Sequence, residues 1–421
     1  MKNPTVSVVV VSRGRPKSLR HCLLAISQLQ YDSFEIVVVA DQAGLDTVDG
    51  TGYSQRTKSV LFEVANISQA RNIGIERAAG EIIAFIDDDA VPEPAWLHHL
   101  AAVFRDASVW AAGGYVRGKN GISYQCKAQK IDLSGVTIAI HVDDIFPTVI
   151  PASNGVSIKT EGTNCAFRRR FFVEFGGFDP AFPYYLDESD INIRVCNAGK
   201  ATAIVPLAQV HHHRCASEFR NKNLVPLSLF QVGKSTAIFL RKHCAAQERA
   251  GAIETMIGSQ KRQLTRHMNM GNCEPRDIGR LIQTLKLGIE SGLSAQINKV
   301  KLLKATASKF LRFNQYSETR KHQIVAAFQI GAVGARKRAI AEVNKGDDVV
   351  SLFLFSCTAL FHRVRFHADG YWEQTGGLFG RSIRTEPMFQ WNSHKCRVAK
   401  EAKRVALARF PWDIESVEHD A

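Results

Sequence analysis

The chain of 421 residues is 45% hydrophobic, 22% charged and 9% aromatic, a composition of folded globular protein that excludes disordered and fibrous classes. Its length suits two or three domains, and its formal net charge of +14 favours acidic partners. Residues 1–225 hold 23 Lys and Arg and 23 Asp and Glu out of totals of 54 and 40, so the whole surplus falls beyond residue 225. A net-neutral module over 1–225 followed by a basic, mainly helical region over 226–421, with a further change of texture near 346, is therefore expected. Nine cysteines, an odd number with no C-x-x-C pair, point to reduced thiols and fit a cytoplasmic protein.

The first apolar run, Val6 to Val11, is broken by Ser7 and leads into Ser12-Arg13-Gly14-Arg15 without a cleavage site, so it reads as a strand rather than a signal peptide. Ile36 to Ala40 and Ile82 to Ile86 are similar Val- and Ile-rich runs, and helical patterns separate them (Leu19-Leu23-Ile26 and Ile67-Ala70-Ile73). The alternation predicts an α/β fold with a doubly wound, mostly parallel sheet. Ligands in such sheets sit beyond the carboxyl ends of the strands, which here are Ser12-Arg13, Asp41 and Asp87-Asp88-Asp89. Asp41 alone reads as a helix cap. On an extended backbone Asp87 and Asp89 share one side, with the reach to hold a hard divalent cation or the ribose of a nucleotide. Pro92 and Pro94 then open a helix that turns Trp96, Leu97, Leu100, Val103 and Phe104 inward.

After Gly162 comes G-T-N-C-A-F-R-R-R, then G-G-F-D-P-A-F, then Asp187-Glu188-Ser189-Asp190 at the start of a helix that stops at Gly199. Acids in a first turn are also ordinary dipole partners. His211-His212-His213 alternate faces on a strand, so they cannot all meet one ion. Beyond residue 226, amphipathic patterns predict helices over Leu227–His243, Ala252–Met268, Asp277–Ile289 and Ala295–Phe313, with Lys and Arg on their polar faces. The longest later apolar stretch, Val349 to Phe361, is too short and too polar to cross a bilayer, so no transmembrane helix is expected.

Taken in order, V-S-V-V-V-V-S-R-G-R-P, I-V-V-V-A-D, S-Q-A-R-N-I-G-I-E-R-A-A-G-E, F-I-D-D-D-A-V-P-E-P-A-W-L, G-T-N-C-A-F-R-R, G-G-F-D-P and Y-L-D-E-S-D-I-N-I-R resemble the family 2 glycosyltransferases over about residues 4–213. The resemblance implies a GT-A type nucleotide-diphospho-sugar transferase fold and inverting transfer to an acceptor hydroxyl, assisted by a divalent Mg or Mn ion. It places Ser12, Arg13, Asp41, Arg71, Asn72, Asp87, Asp88 and Asn164 beside the nucleotide sugar, and Asp89, Asp87 and His212 at the metal. It makes Asp187, Glu188 and Asp190 the candidate catalytic acids. Glu188 falls on the usual base position, often held by Asp, and which of the three removes the proton stays open.

No Q-x-x-R-W string or membrane span of a processive synthase occurs, which favours transfer of a single sugar. A glycan, lipid-linked or protein acceptor is expected, at the inner face of the membrane if the basic helices touch anionic lipid. Nucleic acid is the least favoured partner, because no recognition signature appears. Two competing readings are a sugar nucleotidyltransferase, disfavoured by the single glycine in S-R-G-R-P-K, and a non-catalytic basic scaffold.

Overall fold

The Val- and Ile-rich runs form the parallel part of a ten-stranded sheet in the computed structural model, which describes residues 3–304, 308–313, 320–346 and 348–410. The elements of the first half are β1 (Val6–Ser12), α1 (Pro16–Ile26), β2 (Phe34–Ala40), α2 (Gln42–Asp49), β3 (Thr57–Leu61), α3 (Ile67–Arg77), β4 (Ile82–Asp87), β5 (Ala90–Pro92), α4 (Trp96–Ala102) and β6 (Val109–Arg117). Short strands follow, β7 (Tyr124–Cys126), β8 (Gln129–Asp132), β9 (Thr137–Ala139), β10 (Thr148–Ile150), β11 (Val156–Lys159) and β12 (Cys165–Arg168), then α5 (Arg169–Phe175), α6 (Asp187–Asn197) and β13 (Ala201–His212).

The main path of the sheet runs β10-β13-β6-β12-β4-β1-β2-β3. β1 pairs in parallel with β2 and β4, β2 with β3, and β6 with β13, whereas β12 runs antiparallel between β4 and β6. Alternation of side chains sends Val8, Val10, Ile36 and Val38 into one core and Val9, Val37, Ile83 and Phe85 into another on the opposite face. Helices cover both faces. Gly74 lets α3 lie tightly on β1, since a Cβ there would come within 2.5 Å of Val9 Cγ1.

The second half opens with α7 (Phe230–His243), α8 (Arg249–Asn269) and α9 (Pro275–Ser294), packed around Ala237, Leu264, Leu281 and Leu285. Pro275 at the first turn and the reciprocal Glu274–Asp277 capping box fix where α9 begins. The helix expected over Ala295–Phe313 does not form among the described residues of that stretch. Its apolar side chains are instead spread over separate sites on the first half. Leu303 enters the core of Phe171 and Phe172, and Phe313 enters that of Phe34. The backbone joins in: Gly177 donates to Lys301 O at 3.2 Å, Leu303 to Phe172 O at 3.2 Å, and Phe313 to Phe34 O at 2.8 Å. Contacts with the sheet domain outweigh the weak internal helical pattern.

The last described residues form a small α/β unit of β14 (His322–Phe328), α10 (Ala332–Val343), β15 (Val349–Ser356), β16 (Arg363–Phe366), β17 (Trp372–Gly377) and α11 (His394–Arg409). Its sheet has the order β14-β15-β17-β16, with only β16 antiparallel. The change of texture near 346 is the connection from α10 to β15, inside this unit. Among the described residues no helix is long and apolar enough to cross a membrane.

Candidate active site

A cleft of about 710 Å³ opens beyond the carboxyl ends of β1, β2 and β4. It is walled by the Ser12–Arg15 turn, Asp41, the segment from Phe62 to Ile67, Asp87, Asp89, His212 and the loop from Ala216 to Arg220. That loop closes over the cleft through an Arg13–Glu218 ion pair of 2.7 Å and a stack of Phe219 on Tyr184 with centroids 4.0 Å apart.

β4 ends at Asp87, and the chain turns through Asp88 and Asp89 before β5. Pairing of β5 with β13 sets His212 opposite Ala90, so the imidazole joins the acids. One ligand atom each of Asp87, Asp89 and His212 lies within 4.8 Å of the others, with His212 Nε2 3.1 Å from Asp89 Oδ1. Two carboxylates and an imidazole, without thiolate, suit a hard to borderline divalent cation. Burial alone would raise the Asp89 pKa, but the hydrogen bond from His212 and the Arg15 guanidinium hold it well below the usual carboxylate range. Asp88 points the other way and is fully buried. It accepts from Ser12 Oγ at 2.6 Å and pairs with Arg15 at 2.5 Å, and burial pushes its pKa up to about 7 against the pull of Arg15.

The neighbouring histidines do other work. His211 lies behind the strand, 2.8 Å from Glu93 Oε1, and Glu93 also takes Arg409 of α11 at 3.0 Å. Burial lowers the His211 pKa to about 4. His213 donates its backbone N–H to Asp89 O at 3.0 Å.

Arg71 of α3 connects this cluster to the second set of acids. It is buried, bonds Asp187 through Nη1, and reaches Asp87 Oδ1 at 3.4 Å and Gly162 O at 3.1 Å through Nη2. A Cβ at Gly162 would stand 2.7 Å from that guanidinium and push it aside. Next to Asp187, burial and the Asp187 carboxylate push the Glu188 pKa up to about 8. Lys159 Nζ lies 3.9 Å from Glu188 and 2.6 Å from Glu161.

Four expected residues have structural partners. Asp41 caps α2 by accepting from Gly44 N at 2.9 Å and accepts from Gly14 N at 2.6 Å, while still bordering the cleft. Asn72 is used on both ends by Phe178, accepting from its N–H at 2.7 Å and donating to its carbonyl at 2.8 Å. Asn164 accepts from Trp96 Nε1 and donates to Tyr115 O and Ala208 O, fully buried away from the cleft. Asp190, a candidate base in the sequence, is enclosed by Arg194 at 2.9 Å, Lys242 at 2.6 Å and His243 at 2.9 Å. These three groups on a fully buried carboxylate tie α6 to α7 at Asp190.

The family model "Glycosyltransferase like family 2" matches residues 4–225. This chain belongs to that family. Among its relatives, a glucosyl-dolichyl phosphate glucuronosyltransferase of Haloferax volcanii is 27% identical over 41% of this chain and 56% of its own length. The uncharacterised protein y4gI of Sinorhizobium fredii is 26% identical over 51% of this chain and 25% of its own. A crystal structure of GalNAc-T7 with UDP, GalNAc and Mn²⁺ aligns with 57% of this chain and 48% of its own, at 18% identity and a TM-score of 0.42. The chain thus spans between a quarter and about half of these proteins.

Within the family 2 domain, sequence reasoning missed Arg15, Lys159 and the loop over the cleft. Arg15 stands two places after the expected Arg13, and only the turn at Gly14 (φ +67°) shows that Arg15 rather than Arg13 meets the acids. Lys159 closes a short strand of no distinctive pattern.

Proposed function

We propose that this chain is an inverting, metal-dependent glycosyltransferase that moves one sugar from a nucleotide-diphosphate donor to an acceptor hydroxyl. The observation that carries the reading is the pairing of two stations through one buried guanidinium: the Asp87–Asp89–His212 cluster on the cleft and, across Arg71, the Asp187–Glu188 pair. Family membership supports it.

Asp87, Asp89 and His212 are the groups that would hold Mg²⁺ or Mn²⁺. Bound there, such a cation offsets the negative charge that grows on the departing diphosphate. Ser12, Arg13, Asp41 and Asp88 border or support the cleft where the nucleotide would lie, and Arg15 and Arg220 add positive charge beside Asp89. Glu188 is the proposed base. Its carboxylate takes the acceptor O–H proton as the acceptor oxygen bonds the anomeric carbon and the bond to the diphosphate oxygen breaks. A group with a pKa near 8 is well matched to that transfer near neutral pH. Arg71 neutralises Asp187, which leaves Glu188 as the acid of the pair with no short ion pair of its own.

The name of the Haloferax relative, in which a glucosyl-dolichyl phosphate is the acceptor, supports a glycan or lipid-linked acceptor here. Release of UDP, GDP or dTDP from a donor panel, with Mn²⁺ or with EDTA, tests the reading. Metal-dependent release from one donor that Glu188→Gln abolishes is the expected result, and equal release with EDTA would refute it.

A further inference from the structure

The small C-terminal sheet has an unusual edge. β14, β15 and β17 are parallel, so the segments after them emerge at the same end. All three present large apolar groups to water: Phe328 at the end of β14 and Ile330 just past it, Leu360 and Phe361 after β15, and Phe389 and Trp391 after β17. Ile330 is 99% exposed and Trp391 83%.

The segments after β15 and β17 are joined into one surface, and Phe328 reaches His394 beside it. Gly377 and Phe379 donate to Leu360 O and Thr358 O, which sews the second segment to the third, and Gln390 donates to Phe379 O. Phe379, Phe389 and Trp391 make a triangle of rings with centroids 5.2–5.3 Å apart, and Phe328 packs on His394 at 4.4 Å. The surface is also basic. From Leu378 to Lys395 the charged residues are Arg381, Arg384, Lys395 and one acid, Glu386. Glu386 is already engaged by the N–H groups of Ser382 and Ile383 and by Lys400 Nζ at 2.6 Å. Arg381 lies 4.5 Å from the Phe361 ring centre.

Exposed rings of Trp and Phe beside arginines, with no uncompensated acid, match an interface whose inner layer is apolar and whose outer layer is anionic. We propose that this edge docks on the headgroup layer of an anionic phospholipid bilayer, with Phe389 and Trp391 entering the layer and Arg381 and Arg384 against phosphates. The site is the strand-end edge rather than the basic faces of α7–α9. It is separate from the cleft and does not depend on the transferase reading.

Flotation of the full chain with vesicles tests this. The protein should rise with vesicles of phosphatidylcholine mixed with phosphatidylglycerol and stay down with phosphatidylcholine alone. The double variant Phe389→Ser/Trp391→Ser, at exposed positions, should lose at least about tenfold of the bound fraction with an unchanged circular dichroism spectrum. Arg381→Gln/Arg384→Gln, which removes no ring, should lose the preference for anionic lipid. Wild-type protein that does not float, or flotation unaffected by both variants, would overturn the proposal. So would light scattering that shows a dimer dispersed by the Phe389→Ser/Trp391→Ser change, because the rings would then cover a second copy.

Discussion

Arg71 binds Asp187 through one guanidinium nitrogen while its other terminal nitrogen reaches toward Asp87. The buried Arg71 guanidinium therefore holds the acid adjacent to Glu188 as its counter-ion and ties it to the Asp87–Asp89–His212 cluster. Glu188→Gln should lower kcat by about 10²- to 10⁴-fold while nucleotide binding persists. Asp187→Asn should loosen Arg71 and show as a raised KM and a lower melting temperature. Equal and complete loss of kcat in both variants, with KM and melting temperature unchanged, would contradict this division of roles.

Asp89 and His212 are joined at 3.1 Å and both face the cleft. Asp89→Asn and His212→Ala should each abolish the Mn²⁺-dependent part of UDP or GDP binding in calorimetry, a loss above the ~10- to 100-fold that outer-sphere positions cost. Glu161→Gln, which does not touch the cluster, should leave it in place.

The raised pKa of Glu188 has a sign that can be checked. As a base it acts deprotonated, so kcat/KM should rise with pH through about 8. Lys159→Met removes the nearest cation and should move that limb to higher pH. For folding the sign is opposite. The native carboxyl keeps its proton above the unfolded value near 4.5, so its contribution to stability is present below that value and is lost as pH rises toward 8. Glu188→Gln should flatten this part of the stability profile in urea titrations at several pH values.

Asp190 is expected to matter for stability. Asp190→Asn leaves Lys242 and His243 facing a neutral amide in a buried site and should cost about 3 to 5 kcal/mol in urea unfolding. The folded fraction at low temperature should retain most of its kcat. Abolished turnover at unchanged stability would instead identify Asp190 as a base.

The parallel core was legible because strands buried on both faces leave uninterrupted Val and Ile, as in Val6–Val11. The alternation of His211, His212 and His213 was readable as far as showing that the three could not all meet one ion, and the choice of His212 came from the family resemblance. Asp190 was not, because Lys242 and His243 stand more than fifty residues away and mark no local pattern. β15 was visible only as an apolar run, and its partner β14 contains His322 and Gln323, which hide its pairing. The stretch after Ala295 carries a weak helical pattern that separate contacts with Phe34 and Phe172 override.

That stretch also bears on the order of folding during synthesis. Phe34 and Phe172 belong to the first half, yet the side chains and N–H groups that finish their surroundings come from Leu303 and Phe313. A nascent chain that has emerged only as far as residue 225 would have its strands paired and two apolar faces still open to water, a state prone to aggregation and to chaperone capture. A fragment ending at residue 225 should therefore aggregate more readily than the full chain, which light scattering would check.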